Sequence, residues 1–147
     1  MYIIFLISSG DSGYVAFCAF LTTEENSPSL HHIFVFNYVK TNLGSAYNSN
    51  SGMFTATTDG TYVFSWTMLS DVHSYIFTQL VINSSPFASM IVNSEEVYDV
   101  HSGTKVVVVN LTRGDVVYVR THPTAISKGN VRSDTIHGKP SFCGWKL

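Results

Sequence analysis

The sequence predicts an all-β domain of the sandwich or barrel kind, and three observations carry that prediction. Runs of β-branched and aromatic residues alternate with period two, turn-forming residues separate them at short intervals, and helical periodicity is nearly absent. At 147 residues the chain is long enough to bury one core of its own. No linker, internal repeat or low-complexity tract divides it.

The chain opens on an apolar stretch, residues 1–7 (MYIIFLI), followed by the small Ser8, Ser9 and Gly10. This is similar to the tail of a secretory leader, yet it lacks a basic segment and is shorter than the usual apolar region. Residues 1–13 are therefore read as a leader remnant or an N-terminal extension, and 14–147 as the domain. No stretch approaches the ~18 apolar residues that a membrane helix needs.

The strands follow in order. Residues 14–21 (YVAFCAFL) form an apolar run with no polar side. Within 61–69, Tyr62, Phe64, Trp66 and Met68 fall on one face and Thr61, Val63, Ser65 and Thr67 on the other, the pattern of a strand with one buried face. Residues 76–83, 87–92, 105–111 and 116–121 are likewise rich in β-branched and aromatic residues. Between them stand Thr58-Asp59-Gly60, Asn83-Ser84-Ser85-Pro86, Ser102-Gly103 and Arg113-Gly114-Asp115, each read as a turn. Residues 14–21 and 106–109 are apolar on both faces, which calls for a second covering surface; a subunit interface is the economical one. Composition agrees, with 45% hydrophobic but only 12% charged residues. The net charge of −2 provides no basic field for nucleic acid and no polybasic patch for a membrane surface.

Several segments, in order, resemble the globular head of the complement 1q family. They are Val15-Ala16-Phe17-Cys18-Ala19-Phe20, Asn42-Leu43-Gly44 with Tyr47, Gly52-Met53-Phe54-Thr55-Ala56, Gly60-Thr61-Tyr62-Val63-Phe64-Ser65, Leu111 with Gly114-Asp115-Val116-Val117, and Phe142-Cys143-Gly144-Trp145 with Leu147. The resemblance implies a ten-stranded antiparallel jelly-roll sandwich of the complement 1q and tumour necrosis factor-like type, assembled as a homotrimer. It gives Gly52 and Gly60 positions that a side chain would obstruct, sets Tyr62, Phe64 and Trp66 in the core, and makes Gly114-Asp115 a tight hairpin turn. It makes the first and last strands antiparallel neighbours with Cys18 and Cys143 in serine positions of their motifs, which implies a disulfide between them. There is no Gly-X-Y tract, so the collagen stalk and its recruitment of proteases do not carry over. The resemblance is strongest to head-only secreted members of invertebrates such as bivalve molluscs. It implies a lectin-like pattern-recognition protein of innate immunity that binds microbial or cell-surface carbohydrate. The competing reading is a cytokine-like or adhesion trimer that recognises a protein receptor.

Catalysis has little to stand on, and the chain is not read as an enzyme. His31, His32, His73, His101, His122 and His137 show no zinc spacing and are read as ordinary surface histidines. Ser65 and Ser141 lack a nucleophile elbow. Glu24-Glu25 and Glu95-Glu96 are adjacent pairs in solvated loops rather than a two-carboxylate site. Some members of the resembled family bind calcium near the trimer apex. Asp71, Asp99 and Asp134 are the loop carboxylates such a site would use, but no twelve-residue calcium loop is present and no cofactor is assigned. Asn83 and Asn110 head glycosylation sequons, the first with Pro86 directly after it.

If strands alternate direction as in that family, loops 70–75, 93–104 and 122–140 emerge together at the end away from both termini. They carry the expected ligand-binding residues Asp71, His73, Tyr75, Tyr98, Asp99, His101, His122 and Arg132. Aromatic faces suit the C–H patches of a sugar and polar groups suit its hydroxyls, while Arg132 could meet the carboxylate of an anionic sugar.

Overall fold

A computed structural model describes residues 13–147, so the leader expectation for 1–13 lies, Gly13 apart, outside the described residues. Among the described residues every regular element is a β-strand. In chain order these are β1 (Ala16–Phe20), β2 (Glu25–Asn26), β3 (Tyr38–Leu43), β4 (Tyr47–Asn48), β5 (Met53–Thr55) and β6 (Gly60–Ser70). Then come β7 (Tyr75–Ile82), β8 (Ser85–Asn93), β9 (His101–Leu111), β10 (Val116–Thr121), β11 (Asn130–Val131) and β12 (Ser141–Lys146). The count is twelve rather than ten, and β2, β4 and β11 are only two residues long.

The strands form an antiparallel jelly roll of two sheets. One sheet runs β2-β11-β6-β12-β1-β3, with β9 along the other side of β6; the second runs β4-β5-β10-β7-β8. The alternation of β6 is realised as expected: Tyr62, Phe64, Trp66 and Met68 are all fully buried between the sheets. Phe17, Phe54, Phe64 and Phe142 join them, with Phe17 and Phe142 edge-to-face at 4.9 Å and Phe54 and Phe64 at 5.2 Å. Truncating any one of these large buried rings should cost about 3–5 kcal/mol. Their polar tips are satisfied inside the core. Trp66 Nε1 donates to Thr78 Oγ1 at 2.9 Å, and Tyr47 OH donates to Phe36 O at 2.8 Å. Burial pushes the Tyr47 phenol well above the usual tyrosine range, against a smaller opposing effect of that hydrogen bond.

Two turn expectations are corrected. Ser102-Gly103 is not a turn but lies inside β9, where a Cβ on Gly103 would stand 3.0 Å from Val92 Cγ2. The glycine permits close approach of β9 to β8, the edge strands of the two sheets. Gly114-Asp115 does form a tight turn, with Asp115 Oδ2 accepting Thr112 N at 2.8 Å, but it is no hairpin. β9 pairs with β6 and β10 pairs with β5 and β7, so the turn carries the chain from one sheet to the other. The hairpin lies at Asn83-Ser84, both at positive φ (49° and 71°) between the paired β7 and β8. Gly52 is required as expected: at φ +77° its Cβ would meet Phe34 O at 2.6 Å. At Gly60 a Cβ would meet only the movable Lys146 side chain.

β1 and β12 are antiparallel neighbours with Cys18 directly opposite Cys143, and the two are joined by a disulfide spanning 125 positions. The bridge faces outward from the first sheet, because Phe17, Ala19, Phe142 and Gly144 take the buried positions on either side.

Candidate functional site

The start of β1 and the end of β12 lie at one end of the sandwich, and the connections 71–74, 94–100 and 122–140 lie at the other. Their placement follows from register: Ser70 pairs with His101 and Val131, and Tyr75 with Asn93. Three buried serines tie these connections together. Ser94 Oγ lies 2.8 Å from Ser70 Oγ and donates to Asp71 O at 2.6 Å, while Ser94 N donates to Ser74 O at 2.8 Å. Ser74 Oγ accepts Asn130 N at 3.1 Å, and Gly129 passes so close that a Cβ would sit 2.1 Å from that oxygen. Loop serines ordinarily suggest solvent. Here they fix the geometry of the end, a role with no local sequence signal.

The eight expected ligand residues are not brought into one cluster. His73, Tyr98 and Glu95 form one group: His73 Nδ1 donates to Glu95 O at 3.0 Å, and its ring meets Tyr98 edge-to-face at 5.9 Å. Lys128 Nζ lies 3.4 Å from Glu95 Oε1. Tyr98 is 87% exposed and presents a bare aromatic face. His101 sits beside this group and donates from Nδ1 to Asn93 O at 2.9 Å. Asp99 is exposed and accepts the Val100 N–H, so it orders its own loop. Tyr75 and His122 belong elsewhere, on the outer face of the second sheet, linked through Phe77 at 5.8 Å and 6.5 Å. There His122 Nδ1 accepts the Ala125 and Thr124 N–H groups at 2.9 and 3.1 Å, a structural cap.

Arg132 and Asp71 make a third group, distinct from the others. The guanidinium lies 3.4 Å from Asp71, 3.5 Å from Asp134 and 3.7 Å from Glu24. Arg132 is thus already shared among three carboxylates of this chain. Asp134 also accepts from the backbone and ring of His137, and these bonds, the backbone one foremost, hold its carboxyl down to about 2. The three carboxylates suggested for calcium do not fit such an ion: Asp71 and Asp134 converge on Arg132, and Asp99 stands apart. Among the described residues no group of three or more His, Cys, Asp or Glu is arranged to hold a metal.

Two readings from sequence need correction. Glu25 is not a solvated loop carboxylate, nor is His32 an ordinary surface histidine; the two are half-buried and ion-paired. The Glu25 carboxylate, chiefly through that hydrogen bond, raises the His32 pKa despite partial burial. Both belong to the segment that crosses the loop end, where Thr121 N donates to His32 O at 2.9 Å. Of the sequons, Asn83 has its amide committed, donating to Asp115 Oδ1 and accepting Val116 N. Asn110 is exposed on β9 and accepts from Thr61 Oγ1.

The outer face of the first sheet is the other surface of note. One row across it contains Leu43, Ala16, Trp145, Val63 and Val108. Leu43, Trp145 and Val108 are 54%, 44% and 58% exposed, and Val106 on the next row is 59% exposed. The runs that looked apolar on both faces thus bury one face, with Phe17, Ala19, Val107 and Val109, and offer the other outward. Phe87 and Ile91 are exposed on edge strand β8, on the outer face of the second sheet.

The C1q domain family model matches residues 16–145, from the first strand of the jelly roll to the last. The chain belongs to the C1q domain family. Among curated proteins, the C1q-domain chain is 30% identical over 125 residues to Caprin-2 of Danio rerio, covering 84% of this chain and only 14% of that protein. Among solved structures, it is similar to the globular domain of zebrafish complement 1qA protein (TM-score 0.68, 20% identity, 90% of this chain and 97% of that one). It is also similar to the Eiger TNF of S. frugiperda (TM-score 0.66, 16% identity, 91% and 92%) and to murine APRIL (TM-score 0.60, 15% identity, 91% and 99%). At these identities the structures show a shared fold. No helix among the described residues is long and apolar enough to cross a membrane.

Proposed function

We propose that this C1q-domain chain is a secreted, lectin-like recognition protein of innate immunity that binds microbial or cell-surface carbohydrate as a homotrimer. The observation that carries the reading is the division of labour between its surfaces. An apolar outer face and the long exposed edge strand β9 call for subunit contacts. The opposite end holds the exposed Tyr98 with His73 on loops braced by buried serines. An aromatic platform with fixed polar neighbours suits a sugar ring. The cross-strand disulfide supports export to an oxidising compartment.

A glycan array is the first test, with saturable binding expected. Replacing His73, Tyr98 and His101 together by alanine should abolish it and leave the trimer intact. Arg132 is kept, because its loss would leave three carboxylates facing one another. Likeness to Eiger TNF and APRIL supports the second reading, a cytokine-like or adhesion trimer with a protein receptor. So does an apolar groove of about 320 Å³ lined by Phe77, Met90, Ile91, His122 and Ala125. Absence of saturable binding to any glycan, with capture of a receptor blocked by a charge at Met90, would favour it.

A further inference from the structure

We propose that the cleft between β3 and the 134–139 loop is a subsite for an acidic saccharide of the uronate type, whose carboxylate is carried on the sugar ring itself. The inference deepens the carbohydrate reading and rests on it, but it concerns residues outside the His73–Tyr98 cluster. The cleft measures about 390 Å³ and is lined by Phe20, Tyr38, Lys40, Asp134 and Lys139 among others. That volume lies within the range of small-molecule sites.

Its two lysines are held in place without being neutralised. The pairing of β1 with β3 shifts register between Cys18 and Ala19, so that Thr41 faces Cys18, Val39 faces Ala19, and Lys40 is the extra residue. Such a bulge re-aims a side chain. Here it leaves Lys40 exposed, with its ammonium 5.9 Å from the Phe20 ring centre and 5.7 Å from that of Tyr38. Lys139 follows a closed loop in which Asp134 and Gly138 exchange backbone hydrogen bonds at 3.1 and 3.2 Å. It precedes Pro140, whose carbonyl accepts Leu21 N at 3.0 Å. Neither ammonium makes an ion pair among the described residues, unlike Lys128 and Arg132. Two of the chain's eight lysines and arginines thus line one cleft of a protein with net charge −2.

The nearby carboxylate does not cancel them. Asp134 accepts Ile136 N at 2.9 Å, His137 N at 2.6 Å and the His137 ring, and it faces Arg132. The cleft therefore offers two unpaired cations beside two aromatic rings, of which Tyr38 is 51% exposed. A bare inorganic anion would leave the rings idle, and a neutral sugar would leave the lysines unpaired. A uronate uses both, with a C–H face against Tyr38 and the carboxylate between the ammonium groups. The cleft lies apart from the apolar row assigned above to subunit contact. Phe20 and Tyr38 share a row with Ser141 and Thr67, four residues and roughly 13 Å along the strands from the apolar row.

The test is calorimetric titration of the full chain with tetragalacturonate at low ionic strength, beside its neutral methyl ester and inorganic sulfate. Saturable binding of the acid is expected, with the ester about tenfold or more weaker and sulfate unable to compete. K40Q combined with K139Q should weaken the acid at least about tenfold without altering Tm, since Lys40 is exposed and Lys139 is only half-buried and makes no ion pair among the described residues. Y38A should weaken acid and ester alike. Equal affinity for acid and ester, displacement by sulfate, or an unaffected K40Q/K139Q variant would overturn the proposal. If neutral glycans still bind through His73 and Tyr98 while tetragalacturonate does not bind, only this subsite falls. If no saccharide of either kind binds, the carbohydrate reading falls with it.

Discussion

Two rows on the outer face of the first sheet lie four residues apart on the same strands, yet they suit opposite neighbours. The row through Ala16 presents Leu43, Trp145 and Val108 around the buried Val63, and the row through Phe20 presents Tyr38, Ser141, Thr67 and Thr104. Backbone pairing is the same in both, so strand propensity does not separate them. The difference is what each offers to water: the second row carries four hydroxyl-bearing residues, and Thr67 and Thr104 hydrogen-bond each other at 2.7 Å. The first row has no such partners to offer. An exposed apolar row on a long edge strand specifies protein contact, whereas a hydroxyl row needs none.

The largest expected effect breaks the first row directly. Val108→Glu should convert the trimer to monomer in light scattering at micromolar concentration, because burying an unpaired carboxylate costs several kcal/mol. Thr104→Glu, on the other row of the same strand, should leave the mass unchanged. Circular dichroism that remains β-type in both variants separates lost assembly from lost folding. A Val108→Glu protein that stays trimeric would place the contact elsewhere.

The disulfide lies between the two rows, so its loss tests whether they are held as one surface. Replacing Cys18 and Cys143 by serine should lower unfolding free energy by about 4–5 kcal/mol in the chain-entropy account. Denaturant titration of oxidised and double-serine protein measures it. A smaller effect belongs to the opposite end. Ser94→Ala removes a buried hydroxyl that serves Ser70 and Asp71, and should cost about 1–3 kcal/mol in urea unfolding. It should also loosen amide protection in 71–74 more than in β9.

The smallest effect is a pH dependence at His32. Its pKa is raised in the folded state, so folded protein holds the proton more tightly than unfolded chain does. The contribution is fully present below the ordinary histidine value of 6.5 and is lost as pH rises through the folded value. His32→Gln should therefore lower Tm most near pH 6, and the gap from the parent protein should close towards pH 8.5. A gap that widens with pH would contradict the sign.

What the sequence revealed, and what it hid, divides along physical lines. β6 was legible because one aromatic face against one smaller face has a period that no other structure shares. The Cys18–Cys143 bridge was legible through family resemblance, not through spacing. The 112–115 segment was misread because turn chemistry is local, whereas which sheet receives the next strand is decided by pairing far along the chain. Ser102-Gly103 was misread for a related reason, since the glycine answers to Val92 across the edge. The loop end was legible as a location, but its grouping was not. Arg132 draws carboxylates from positions 24, 71 and 134, and Lys40 owes its direction to a bulge that no residue pattern announces.

The clasp between β1 and β12 also bears on how the domain carries load. The first and last described strands are interior neighbours whose outer ends meet at one end of the sheet, where Ala16 faces Trp145, followed by Phe17 and Gly144, then the joined cysteines. Tension between the ends would peel these pairs apart one at a time, the weakest direction for a β ladder. In the oxidised protein the peel stops at the third pair, and force passes through a covalent bond instead of the core. Within the described residues, extension is then confined to 13–17 and 144–147, and the sandwich behind the bridge remains unstressed.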